Sequence, residues 1–103
     1  MLTLEVKLPT SLDLERVEAL VEQTCRSRGL KSTVKRSLVS YPGSTHWHFK
    51  KGKERGTLEV TFWKQERRLW FSIHENRTGS WTTAKSGELK SVLESKFNQG
   101  ARH

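Results

Sequence analysis

His46, His48 and His74 lie in three short segments that also carry Trp63, Trp70 and Arg68. Imidazole titrates near neutrality and can pass protons or bind a metal, indole rings stack on unpaired bases, and a guanidinium grips phosphate in a planar fork. The segments are Thr-His-Trp-His-Phe-Lys (45–50), Thr-Leu-Glu-Val-Thr-Phe-Trp (57–63) and Arg-Leu-Trp-Phe-Ser-Ile-His (68–74). Each alternates in polarity and is rich in aromatic and β-branched residues, the period-2 signature of a strand. Side chains of a strand point to opposite faces in turn. One set, Trp47, Phe49, Leu58, Val60, Phe62, Leu69, Phe71 and Ile73, is wholly apolar and predicts a core face. The other set is His46, His48, Lys50, Glu59, Thr61, Trp63, Arg68, Trp70, Ser72 and His74. It predicts an open face suited to binding or reaction.

Nucleic-acid binding is the leading reading of that face, with RNA or a single strand favoured. Trp63 and Trp70 would lie near each other across a hairpin and stack bases, at about 1–3 kcal/mol each. Arg68, Lys50, Lys51, Lys53 and Arg55 would contact phosphate, and His46, His48 and His74 would add hydrogen bonds. The RNP consensus beginning Lys/Arg-Gly-Phe/Tyr is absent. The first alternative is a protein–protein module or homodimer that buries Trp63 and Trp70, because exposed apolar patches mark interfaces.

The second alternative is an enzyme. Imidazoles beside Glu59 and Ser72, near a bound phosphodiester, would support cleavage of RNA by acid–base transfer. Gly43-Ser44-Thr45-His46, followed by strands and a terminal helix, resembles HicA-type mRNA-cleaving toxins, which carry a Gly-Ser-His type motif entering a strand. The resemblance implies a small ribonuclease in which His46 is reactive, with Thr45 inserted relative to the motif and the N-terminal strand outside it. His74 is the second candidate catalytic group in that case; the leading reading assigns none. Metal binding is the third option, since His46 and His48 point the same way and His74 or Glu59 could complete a site with bonds of about 2.0–2.2 Å. No Cys-x-x-Cys or His-Glu-x-x-His pattern accompanies them, so the cluster is read as incidental and neither a metal nor another cofactor is expected. No Gly-rich nucleotide loop follows a strand, and a nucleophilic triad lacks a third member.

Charge points the same way as the aromatic residues. The 103 residues carry a net charge of +8. Up to Gln23 two basic residues face five acidic ones; from Thr24 onward seventeen face six. The positive charge therefore belongs to the part of the chain with the open face, and a concentrated positive field favours phosphate-rich partners. The length suits one domain. No apolar run approaches the ~18 residues of a membrane span, and the alternating N-terminus does not read as a targeting segment. Cys25 is the only cysteine, which rules out an internal disulfide and suggests a reduced, semi-buried thiol in a cytoplasmic protein.

The positioning elements follow from periodicity. Residues 2–8 alternate as a half-buried strand ended by Pro9, whose missing amide cannot join a ladder. Thr10, Ser11, Asp13 and Glu15 mark a helix N-terminus, Leu14, Val17, Leu20, Val21 and Cys25 form one helical stripe, and Gly29 is the stop. Residues 31–39 read as a strand near an edge, guarded by Lys and Arg that could also meet phosphate. Tyr41-Pro42-Gly43-Ser44 reads as a turn, and the basic 50–56 loop as a phosphate-contacting finger. A second helix is expected from Thr83 or Ser86 to Phe97, with Leu89, Val92, Leu93 and Phe97 inward and 98–103 frayed. The predicted fold is a two-layer α+β sandwich of order β-α-β-β-β-β-α, with a mainly antiparallel sheet and both helices on one face.

Overall fold

The computed structural model describes residues 1–100. Its strands are β1 (Leu2–Val6), β2 (Lys31–Leu38), β3 (Tyr41–Lys50), β4 (Leu58–Trp63) and β5 (Arg68–Ile73). The helices are α1 (Val17–Ser27) and α2 (Thr82–Gly100), so the element order is the expected one. All strand pairs are antiparallel, and the spatial order is β1-β5-β4-β3-β2. The basic strand β2 is an edge, which suits its exposed Lys and Arg side chains.

Every member of the predicted apolar set is buried, and the α1 stripe with Leu89, Leu93 and Phe97 of α2 closes over it, whereas Val92, expected inward, is only half-buried. Three residues join this core that periodicity did not place there, Leu12, Leu30 and Trp81. Leu12 turns inward between β1 and α1, so Thr10 and Ser11 form a turn and the first helical cap falls on Asp13, whose carboxylate accepts from the Glu15 amide at 3.0 Å. Gly29 ends α1 as expected, at φ +82°. The Arg67 guanidinium ties the β4–β5 hairpin to the β1–α1 connection by donating to the carbonyls of Pro9, Thr10 and Leu12.

Two boundaries differ from the sequence reading. The reversal between β2 and β3 falls at Val39–Ser40, and Tyr41 to Ser44 already belong to β3. The Pro-Gly pair is accommodated beside a register shift between Arg36 and Leu38, with Gly43 at φ +80° and the Ser44 hydroxyl accepting from the Leu38 amide. Such irregularities place Pro and Gly in a strand without breaking its pairing. The second helix begins at Thr82 and stays helical through Gly100, beyond the expected end at Phe97. Residues 101–103 of the expected frayed tail lie outside the described residues.

A charged cluster joins α1 to the sheet. Lys35, at a core-facing register position of β2, reaches Glu22 at 2.7 Å and Glu18 at 3.3 Å, both on α1. The Trp47 indole donates to the same Glu22 carboxylate at 2.9 Å. Burial opposes ionisation of Glu22, but Lys35 and Trp47 together outweigh it and hold the carboxyl below its usual range. No described helix is long and apolar enough to cross a membrane.

Cys25 is fully enclosed in this layer, and burial, helped by the nearby Glu22 charge, pushes its thiol up to about 12. The native protein at pH 8 then holds roughly one thiolate in ten thousand thiols, and only the thiolate attacks a disulfide reagent. Reaction with an aromatic disulfide reagent should be very slow in the folded protein and fast in denaturant. Rapid labelling of folded protein would show that α1 does not seal the thiol.

Candidate functional site

The register sets the open face in rows. One row reads Val34, His48, Glu59, Ser72 and Thr3 across the five strands; the next reads Arg36, His46, Thr61, Trp70 and Glu5. Glu59 thus sits on the central strand directly beside His48, with His46 and His74 at diagonal positions within reach of its carboxylate. Its two oxygens are shared out. Oε1 lies 3.1 Å from His46 Nε2 and 3.7 Å from His48 Nε2, whereas Oε2 lies 3.2 Å from His74 Nε2 and 3.6 Å from Arg77 Nη1. Glu59 and His46 are only 7% and 5% exposed.

Thr61 fixes the His46 ring through a 2.8 Å hydrogen bond to Nδ1. Burial lowers the affinity of both His46 and His48 for a proton and the attraction of Glu59 opposes this; His48 and Arg36 reinforce the lowering at His46, and Arg77, Arg36 and His74 reinforce it at His48. Both imidazoles therefore hold a proton less readily than a free imidazole does. Above the cluster opens a cleft of about 340 Å³, walled by Arg36 and Leu38 on one side and Asn76 and Arg77 on the other. A second hollow of about 270 Å³ continues from it over Thr61, Trp70 and Ser72 towards Arg68 and Tyr41. Together they form a groove across the sheet.

Arg77 owes its place to two loops locked together. Its carbonyl accepts from the Thr57 amide at 2.8 Å, and the Trp81 indole donates to the Arg55 carbonyl at 2.7 Å. Gly79 permits this approach, because a Cβ there would fall 1.9 Å from the Arg55 carbonyl oxygen. The 50–56 loop is therefore a buttress for the cleft wall. Lys50 donates to Thr57, Lys51 pairs with Glu54, Lys53 and Arg55 are exposed, and none of the four lines the cleft.

All the predicted open-face residues share one side of the sheet, but the aromatic members are not free rings. Trp70 is 7% exposed, lying under the Arg68 guanidinium at 4.5 Å and the edge of Tyr41 at 5.3 Å. Arg68 in turn pairs with Glu5. Trp63 is half-buried, packs against Tyr41 at 5.0 Å and donates its indole N–H to the Pro42 carbonyl. A base could reach Trp70 only by displacing Arg68 or Tyr41. Of the two indoles on which an interface reading depends, Trp70 is likewise covered within the chain and Trp63 half-covered, and His46, the residue implied by the toxin resemblance, is buried in the cleft floor. His48 and His74 are its more accessible imidazoles.

Arg36, Leu38, Tyr41, Asn76 and Arg77 join the site without having been singled out for it. Arg36 follows from the irregular register of β2, and Arg77 from a loop–loop contact; neither has a local pattern. Tyr41 was hidden by the Pro-Gly signal beside it. No protein-family model matches the chain, and neither the curated proteins nor the solved structures include a match.

Gly79→Ala tests how Arg77 is held. The backbone overlap should cost about 1–3 kcal/mol, the range for forced overpacking, read as a lower denaturant midpoint with an unchanged slope. Unaltered stability would mean that the two loops are not locked.

Proposed function

We propose that the protein binds RNA or single-stranded nucleic acid, with a backbone phosphate held between Arg36 and Arg77 over the imidazole cluster. The observation that carries this reading is the segregation of charge. On the helix side and along the edges, Glu15, Glu18, Glu22, Glu88 and Glu94 are met by Lys or Arg. The open groove contains two carboxylates, Glu5 and Glu59, against Arg36, Arg68 and Arg77. Among the described residues Arg36 makes no ion pair, and Arg77 has only the 3.6 Å contact with Glu59. Two guanidinium groups on opposite walls of a cleft favour a planar, multi-oxygen anion.

The groove also supplies surfaces for bases. Arg68, held flat on Trp70, offers a guanidinium plane of the kind on which unpaired bases stack, and the half-buried Trp63 ring flanks the same end. Trp70 acts as the support of Arg68 in this reading. A cytoplasmic location accords with the reduced, enclosed Cys25 thiol.

Fluorescence anisotropy with a labelled single-stranded RNA at several salt concentrations tests the proposal. Arg36→Ala and Arg77→Ala should each weaken binding about tenfold, as expected for losing one charge-assisted contact. Each should also flatten the log–log salt dependence by about 0.7, the increment for one phosphate on a single strand. Trp63→Ala should weaken binding without changing that slope. Affinity and slope that survive the Arg36→Ala/Arg77→Ala double change in folded protein would refute the reading.

A further inference from the structure

We propose that His46, His48 and Glu59 form a binding site for a divalent transition-metal ion of the Zn²⁺ class, held through His46 Nε2, His48 Nε2 and Glu59 Oε1. One ligand atom from each of the three residues lies within 4.8 Å of the other two. A tetrahedral ion with bonds of about 2.0–2.1 Å sets its ligands about 3.3 Å apart. The separations from Glu59 Oε1 to the two imidazole nitrogens, 3.1 and 3.7 Å, bracket that edge length. The two rings stand nearly edge-on to each other, 78° apart, and converge on the same carboxylate oxygen.

The surrounding groups are those a metal site needs. Ligating histidines use their second ring nitrogen to bond an oxygen, which fixes the ring and directs the other nitrogen at the ion. Thr61 provides that oxygen for His46 Nδ1. The second oxygen of Glu59 is engaged separately by His74 and Arg77, leaving Oε1 for the ion. Nitrogen ligands exclude a Mg²⁺ or Ca²⁺ preference, and the absence of thiolate disfavours Cu⁺. Three protein ligands leave a fourth position, open towards the cleft between Arg36 and Arg77, where water or an anion would complete the tetrahedron. The site requires no nucleic acid, so it stands or falls independently of the RNA-binding reading.

The test is a Co²⁺ titration of chelator-treated full-length protein without nucleic acid, followed by visible absorption and then displaced by Zn²⁺. One Co²⁺ per chain with the intense spectrum of four-coordinate cobalt is expected, together with a rise in melting temperature on adding Zn²⁺. His48→Gln, at a partly exposed position, and His46→Ala should each abolish the spectrum while circular dichroism shows an intact fold. His74→Ala should retain the stoichiometry and weaken binding about tenfold, as for loss of an outer partner. No uptake by the wild-type protein, or uptake undiminished in folded His46→Ala and His48→Gln, would overturn the proposal. RNA binding that persisted in that case would leave the phosphate cleft standing without a metal.

Discussion

A carboxylate shut into the middle of a sheet costs several kcal/mol unless donors and opposite charges surround it. Glu59 stands on the central strand, next to Leu58 and Val60, and every residue of β4 up to Phe62 is buried. Its oxygens are met by three imidazoles and a guanidinium from β3 and the segment after β5. The polar residues around it are enclosed too: His46, Thr61 and Ser72 are all buried. Among the described residues no buried side-chain nitrogen or oxygen lacks a partner. The buried part of the open face is thus a second interior, polar and bonded, laid over the apolar one. Replacing such buried charges with apolar side chains is often neutral or stabilising, so stability alone is a weak reason for this arrangement.

The other layer shows what a purely structural ion pair looks like in the same chain. Glu22, Lys35 and the Trp47 indole join α1 to the sheet at the rim of the core, with one acceptor saturated by two donors. The acidic stretch up to Gln23 is largely used in this way, against Lys35 and Lys64. These acidic side chains are thereby held on the helix side and at the hairpin, away from Arg36 and Arg77.

Strand parity was legible because the side-chain period of a strand is two whatever its neighbours. Both face assignments from Trp47 to His74 follow from it, as does the membership of His46, His48, Glu59 and His74 in one cluster. Burial on the open side was not legible, because it depends on which strands become neighbours. Trp70 and Glu59 lose solvent to Tyr41, Arg68 and the histidines, groups brought close by register. The Pro42-Gly43 pair carries a strong turn signal that tertiary pairing overrides, and this concealed Tyr41. Arg77 and the loop from Lys50 to Gly56 depend on a contact between distant glycines, Gly56 and Gly79, that no local pattern encodes.

A cation and an anion need not compete for this cleft. Two guanidinium groups face one carboxylate here, a positive balance that draws a phosphate but is screened by salt. A divalent ion seated on His46, His48 and Glu59 would saturate the carboxylate and raise the charge facing the cleft. Its fourth coordination position and the two guanidinium groups would then address the same anion oxygens. Ion and phosphate would strengthen each other by equal factors, as reciprocity between linked sites demands. Arg77 beside Glu59 makes sense in these terms: 3.6 Å from the carboxylate, it is a loose partner for Glu59 and a ready one for an incoming phosphate. The same guanidinium can serve the resting carboxylate and the bound anion in turn, because the ion would take over the charge that Arg77 releases.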